Sequence, residues 1–364
     1  MYRVKTITAL QMYFILTLSI GISNHVILIP VLLQVAKRDA WIGASAALVP
    51  VLLWSSLIYV ITKRKGGRKL TDWVKEQAGT VTSKVFMLVM AVYCLLNAIV
   101  SLRDTITWTK VTYLPATPKS VSGVMFMLLC CIGARLGIRA IGITSGLLLP
   151  LVVVLGYFVM TANIKYKDYS LLSPLFTHGY SPMLQSALYT IGGLSELVFI
   201  LILQHHLSTP VRYRGLLVMP VILIGLTVGP LTGAIAMFGP FEAADLRFPA
   251  FEQWRMVTLG KFISHLDFFS IYQWFSGSFV RISLMLALIV DLMGIERPRS
   301  KTFFLIGLSL LTTAVALIPI SDMTFLRQLT TWYFPSSLGW NLFVTLLLLI
   351  LAFLPGKRKE VKTG

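Results

Sequence analysis

The stretch Tyr189-Thr190-Ile191-Gly192-Gly193-Leu194-Ser195-Glu196-Leu197 lies in the middle of an apolar run from about Met183 to Leu203. Paired glycines, hydroxyls and a carboxylate are poor material for an uninterrupted lipid-facing helix. Each glycine lowers helix propensity by roughly 1 kcal/mol against alanine. An acidic side chain at bilayer depth costs roughly 2.5–3.5 kcal/mol on insertion scales. Backbone that leaves the helix at that depth is tolerated only inside protein or along a wet cavity. The stretch therefore predicts a broken membrane helix facing a polar site.

A second stretch matches it. Gly21-Ile22-Ser23-Asn24 sits inside the first apolar span and aligns with Gly193-Leu194-Ser195-Glu196 at an offset of 172 residues. The same offset sets Trp41 on Tyr213, and Pro50 and Pro220 fall two positions apart in the spans that follow. Gly-x-Ser arises easily by chance. Its placement in corresponding spans of two halves carries the argument, because paired Gly-interrupted spans point to a transporter's midplane site.

Composition agrees with a membrane protein. Of 364 residues, 56% are hydrophobic and 13% charged, with a mean hydropathy of +0.81. Repeated apolar spans near 20 residues predict a polytopic, all-α membrane protein. The net charge of +18 does not indicate nucleic acid. Basic residues collect between spans, as in Lys63-Arg64-Lys65-Gly66-Gly67-Arg68-Lys69 and Lys357-Arg358-Lys359, a pattern that suits anionic headgroups of the lipid bilayer. Cys94, Cys130 and Cys131 lie in apolar spans and offer no disulfide framework. No cleavable signal is evident, and the first span reads as a retained helix.

In chain order the spans are Thr6–Leu33, Trp41–Ile61, Lys84–Ser101, Val121–Ala134 and Ala140–Ala162, then Met183–Leu203, Gly215–Phe238, Phe268–Met293, Thr302–Ile320 and Leu338–Leu354. Leu70–Glu76 reads as a short interfacial helix, and the long connection Phe241–Asp267 as holding another around Phe251–Phe262. The polar connector Asn163–Pro182 divides two sets of five spans, so residues 1–162 and 183–364 are expected as the two repeats of a single transmembrane domain, 1–364. With an inside N-terminus the inside segments hold 20 Lys and Arg and the outside segments 11, and Arg281 within a span completes the 32. That asymmetry predicts cytoplasmic termini.

A five-plus-five arrangement with breaks in spans 1 and 6 resembles the amino acid–polyamine–organocation transporter fold, an inverted repeat. One branch fits more closely. Phe248-Pro249-Ala250-Phe251-Glu252-Gln253-Trp254-Arg255, Leu259-Gly260-Lys261-Phe262-Ile263, His265-Leu266-Asp267 and Trp274-Phe275-Ser276-Gly277-Ser278-Phe279-Val280 resemble the spore germination permeases, the B subunits of endospore germinant receptors. The chain departs from that pattern at His265, where a basic residue is expected, and at Leu28-Ile29-Pro30-Val31, where a Thr-Leu-Pro-Arg-like segment is common. The resemblance implies location in the spore inner membrane, a multi-pass protein there, and assembly with an A subunit and a lipoprotein C subunit.

The residues expected to bind a ligand are Gly21, Ile22, Ser23 and Asn24 in span 1 and Thr190, Gly192, Gly193, Ser195 and Glu196 in span 6. Half-helix ends at the two breaks would suit the carboxylate and ammonium of a zwitterionic amino acid. The alternative is that the glycines serve close helix packing. Tyr93 and Asn97, one turn apart on span 3, and Gln273, Ser276 and Ser278 on span 8 are further candidates against plain packing. Glu196 is either a ligand or proton group or a buried neutral acid. Arg281 either takes a cation's place or is structural.

His205-His206 is not expected to hold a metal, because adjacent residues point apart on a helix and no second ligand group stands at a suitable spacing. No cofactor is implied, no nucleotide-binding loop is present, and no catalytic motif marks an enzyme. Three functions remain. The first is a germinant-sensing subunit that binds an amino acid or similar small germinant. The second is a proton- or sodium-coupled amino acid transporter, and the third is an assembly subunit whose cavity binds nothing.

Overall fold

The computed structural model describes residues 6–177, 179–260 and 263–354. The basic tails at both ends, His178, and Lys261-Phe262 of the quoted motif lie outside the described residues. Among those described there is no strand. The helices are α1 (Ala9–Ile22), α2 (Ile29–Ala36), α3 (Ala40–Ala46), α4 (Leu48–Lys65), α5 (Leu70–Ala78), α6 (Thr80–Thr112), α7 (Lys119–Leu136), α8 (Ile138–Ala162) and α9 (Ser181–Leu194). They continue with α10 (Phe199–Leu203), α11 (Tyr213–Phe238), α12 (Pro240–Asp245), α13 (Pro249–Arg255), α14 (Phe269–Leu292), α15 (Pro298–Ala316), α16 (Asp322–Gln328) and α17 (Phe334–Phe353).

The starts of these helices follow local chemistry. Thr8 opens α1 with a reciprocal cap, its hydroxyl accepting from the Gln11 N–H at 3.2 Å while the Gln11 side-chain oxygen accepts from the Thr8 N–H at 2.9 Å. Proline stands in the first turn of α9, α12, α13, α15 and α17, where its missing N–H costs nothing. The chain reverses between α2 and α3 at Lys37, whose φ is +46°.

Among the described residues, eight segments are long and apolar enough to cross a membrane: Ala9–Lys65, Thr80–Thr112, Lys119–Leu136, Ile138–Ala162, Ser181–His206, Tyr213–Phe238, Leu266–Leu292 and Asp322–Phe353. The chain is an integral membrane protein. The first of the segments contains the Lys37 reversal, and α15 adds a further helix of 19 residues. The long connection departs from expectation: its helix starts at Pro249 and stops at Arg255 instead of running to Phe262. Beyond it Gly260 takes a φ of +64°, and Leu259 and Ile263 pair as an isolated bridge.

Burial sorts the helices into a centre and a shell. The apolar window of Leu266–Leu292 is 83% buried and that of Ser181–His206 is 78% buried, against 17% for Ile138–Ala162. Helix α14 is the hub, lying along α6, α1, α7 and α8. At its first turns Trp274 stacks on Trp108 of α6, with ring centroids 4.1 Å apart and planes 3° from parallel.

The two expected breaks exist, but neither unwinds. In span 1 the chain passes from α1 through a π-helical segment, Ser23–Leu28, into α2. In span 6 it passes from α9 through a 3-10 segment, Ser195–Val198, into α10. A wide or a tight turn keeps the backbone largely hydrogen-bonded, which a segment at membrane depth requires. The exposed half-helix ends expected from the glycines are therefore replaced by two changes of helical pitch.

Candidate functional site

Arg281 sits on α14 with no solvent exposure, and five residues from four parts of the chain converge on it. Glu196, set by the 3-10 segment, receives Nη1 and Nη2 on its two oxygens, each at 2.6 Å. Nε donates to the Ser101 hydroxyl at 2.7 Å, Nη2 donates to the Asn97 side-chain oxygen and to the Tyr333 hydroxyl at 3.3 Å, and Nη1 donates to the Ser19 carbonyl at 2.9 Å. Tyr333 in turn donates to Asn97 at 2.8 Å. A guanidinium has five N–H donors, and here its three nitrogens are all engaged. Such saturation is what allows an ion pair to persist away from water.

The break in span 1 supplies one of these partners. At its start the Ser23 N–H turns to the carbonyl of Ile20, three residues back. The Ser19 carbonyl, four residues back, is thus relieved of its usual helical donor and accepts from Arg281. The change of pitch at span 6 has the parallel effect of turning Glu196 inward, where it is 1% exposed.

A second layer lies beside the pair. Asn341 of α17 donates to the Tyr93 hydroxyl at 2.9 Å and to the Ser195 hydroxyl at 2.7 Å, and Ser195 donates to the Gly192 carbonyl at 2.6 Å. Tyr93 also bonds Ser337. The two glycines are sites of close approach: a Cβ on Gly192 would lie 2.8 Å from the Phe334 carbonyl oxygen, and one on Gly193 would lie 2.5 Å from the Asn24 side-chain oxygen.

The structure thus brings Tyr93, Asn97, Gly192, Gly193, Ser195 and Glu196 into one cluster, with Asn24 against Gly193. Ile22 packs on Gly277 and Gly21 faces Leu226, both at the edge of the cluster. Thr190 bonds back to the Ser186 carbonyl at 2.8 Å, and Ser276 is buried on α14. Gln273 lies apart: it accepts from the Trp254 indole at 2.8 Å and donates to the Val152 carbonyl at 2.9 Å. Ser19, Ser23 and Asn24 are buried, and the Ser19 and Ser23 hydroxyls and both amide atoms of Asn24 make no hydrogen bond.

Sequence reading missed Ser101, Tyr333, Ser337 and Asn341. A signal was present in each case. Tyr93, Asn97, Ser101, Thr105 and Thr109 recur every fourth residue, as do Tyr333, Ser337, Asn341 and Thr345. Polar stripes of that period along apolar spans mark an inward face.

Two other clusters lie toward the ends of the bundle. At one, a cavity of about 370 Å³ is lined by Arg103, Thr107, Lys119 and Ser321 among others. There Arg103 donates to the carbonyls of Ala316, Ile318 and Ile320 at 3.1, 2.6 and 2.7 Å, capping the chain that leaves α15. At the opposite end, His205 and His206 close span 6 in a 3-10 turn, Gln204–His206. Their ring centroids are 3.9 Å apart and both rings face Asp291 of α14, so the two side chains do not diverge as a regular helix would require.

Comparison with known proteins gives a consistent answer. The family model described as "Spore germination protein" matches residues 6–324. Spore germination protein XB of Bacillus anthracis is 37% identical over 351 residues, covering 96% of this chain and 98% of that protein. The putative spore germination protein YfkT of Bacillus subtilis (strain 168) is 26% identical over 282 residues, 75% of each chain.

Proposed function

We propose that this chain, which belongs to the spore germination permease family, is the germinant-sensing membrane subunit of a spore germinant receptor and binds an amino acid or similar small zwitterion at the Arg281–Glu196 pair. On this reading the protein has ten spans. Ala9–Lys65 contributes two across the Lys37 reversal, and α15 crosses as the ninth. Residues 1–162 and 183–364 are then the two halves of an inverted repeat with both termini cytoplasmic. The location is the spore inner membrane, and the partners are the receptor's A and C subunits.

The observation that carries the proposal is the ion pair itself. Arg281 and Glu196 join α14 and span 6, while Ser19, Asn97 and Tyr333 tie in spans 1, 3 and 10. A carboxylate arriving from a ligand can replace Glu196 on the guanidinium, and the ligand's ammonium can take the freed carboxylate. Such an exchange conserves charge and moves two central helices relative to each other. The unpartnered Ser23 and Asn24 side chains add hydrogen-bonding capacity on the flank. A ligand shifts the conformation only to the extent that it favours the opened pair over the closed one.

A second reading, transport of the ligand, keeps the same site. A guanidinium bonded to a span 1 carbonyl is a fixed cation between spans 1 and 8, which favours a proton over sodium as any coupling ion. Purified protein in nanodiscs, titrated with an amino acid panel, and the same protein in liposomes, assayed for uptake of labelled ligand, separate the readings. Binding without uptake supports the sensor and uptake supports the transporter. The absence of both, with the partner subunits also present, would leave an assembly subunit.

A further inference from the structure

We infer that His205, His206 and Asp291 form a site for a divalent transition metal of the zinc class at the end of span 6. The inference is independent of any ligand at Arg281. One ligand atom from each of the three side chains lies within 4.8 Å of the other two. His205 Nε2 and His206 Nε2 stand 3.3 and 3.6 Å from Asp291 Oδ2. Tetrahedral zinc with ligand bonds of about 2.0–2.1 Å sets its donors about 3.3 Å apart, so little movement is needed to close the three around one ion.

The donor chemistry fits as well as the spacing. The His205 side chain is 4% exposed, and neither Nε2 makes a hydrogen bond. Nδ1 of His205 lies 2.8 Å from the Ile202 carbonyl, which fixes the proton there and leaves the Nε2 lone pair directed at Asp291. Lys69 takes the other oxygen, Oδ1, at 2.9 Å, and so orients the carboxylate without occupying the donor that faces the imidazoles. Three protein ligands leave a fourth position for water.

Such an ion would fasten three parts of the bundle. The histidines end span 6 and Asp291 lies in the last turn of α14. The His206 carbonyl accepts from the N–H groups of Thr6 and Ile7, at 2.9 and 3.2 Å, which lead into α1. Spans 1, 6 and 8, the ones that meet at Arg281, would thus be held together at one end by the metal.

The test uses the full chain, purified with a histidine-free tag, stripped with EDTA and dialysed against Zn²⁺ alone. Metal analysis is expected to give one Zn²⁺ per chain in the wild type and loss of that equivalent in His206→Gln and in Asp291→Asn. Co²⁺ in place of Zn²⁺ is expected to give the visible absorption of a tetrahedral nitrogen–oxygen site in the wild type only. Melting in EDTA keeps the comparison sound: His206→Gln, at a half-buried position, is expected to melt like the wild type without metal and to lose the rise that Zn²⁺ produces. Equal uptake by wild type and His206→Gln, or no uptake by either, would overturn the site.

Discussion

Glu196 at the centre of the bundle and the half-buried Asp291 at one end of α14 meet their cations in opposite ways. Around Glu196 every nitrogen of Arg281 has found a partner. Around Asp291 one oxygen is held by Lys69, while two imidazole nitrogens stand 3.3 and 3.6 Å from the other, within ion-pair range but without a hydrogen bond of good geometry. The first arrangement is complete within the chain. The second is assembled but unfinished. The difference teaches that burial of charge does not identify a functional group by itself; the state of its hydrogen-bond partners indicates what it still has capacity to bind.

The comparison breaks most sharply at the pair. Arg281→Met or Glu196→Gln leaves one charge or one set of donors buried without its partner, an effect of about 3–5 kcal/mol. Each single variant is expected to melt well below the wild type in nanodiscs, and Arg281→Met with Glu196→Gln is expected to recover part of the loss. A double variant as unstable as the sum of the singles would mean the two residues act separately.

Next in size is the contact between the two pitch changes. Gly193→Ala places a methyl 2.5 Å from the Asn24 side-chain oxygen, and overpacking of this kind costs about 1–3 kcal/mol. Asn24→Ala alone is expected to be nearly neutral in melting, since its amide has no partner to lose, and to rescue Gly193→Ala. If Asn24→Ala also weakens amino acid binding, the unpartnered amide belongs to the ligand site; unchanged affinity would assign it to packing.

Tyr93→Phe sharpens the picture of the second layer. It removes the hydroxyl that Ser337 and Asn341 share, with an expected loss of about 1–2 kcal/mol by thermal or denaturant unfolding. The smallest effect belongs to the surface. Arg68 and Glu76 are paired at 3.0 Å with side chains 46% and 58% exposed, so Glu76→Gln is expected to change stability by less than about 1 kcal/mol. A larger loss there would show that the α5 region is tied to the bundle through charge as well as through buried Leu70, Trp73 and Val74.

Much of this architecture is written locally. Apolar runs and the prolines at helix starts disclose the helices, and the Gly-Gly-Leu-Ser-Glu stretch discloses that span 6 changes course. The kind of change is not local. Whether glycines unwind a helix or merely tighten it depends on what fills the space, here Asn24 and the Phe334 carbonyl. The pairing of Glu196 with Arg281 joins residues 85 positions apart and has no periodic signature. Gln273 shows the converse: it shares α14 with Arg281 but lies two turns away on another face, where Trp254 and Val152 engage it. The convergence of the two histidine rings is hidden in the sequence because adjacency implies divergence only in a regular helix, and the chain there is a 3-10 turn.

The π-helical segment Ser23–Leu28 has a consequence for how the first span tolerates change. Such a segment behaves as one residue inserted into an α-helix, and one residue corresponds to about 100° of rotation. It works as a gear tooth that sets the facing of α2 relative to α1. Removing a single residue between Ser23 and Leu28 would leave a more regular helix with equally apolar faces, yet α2 would turn away from α9 and α12, against which it now packs. The same removal would return the Ser19 carbonyl to its helical donor and withdraw it from Arg281. Length in this segment is therefore a tighter constraint than composition: substitutions there alter a contact, whereas a one-residue deletion re-indexes half a span.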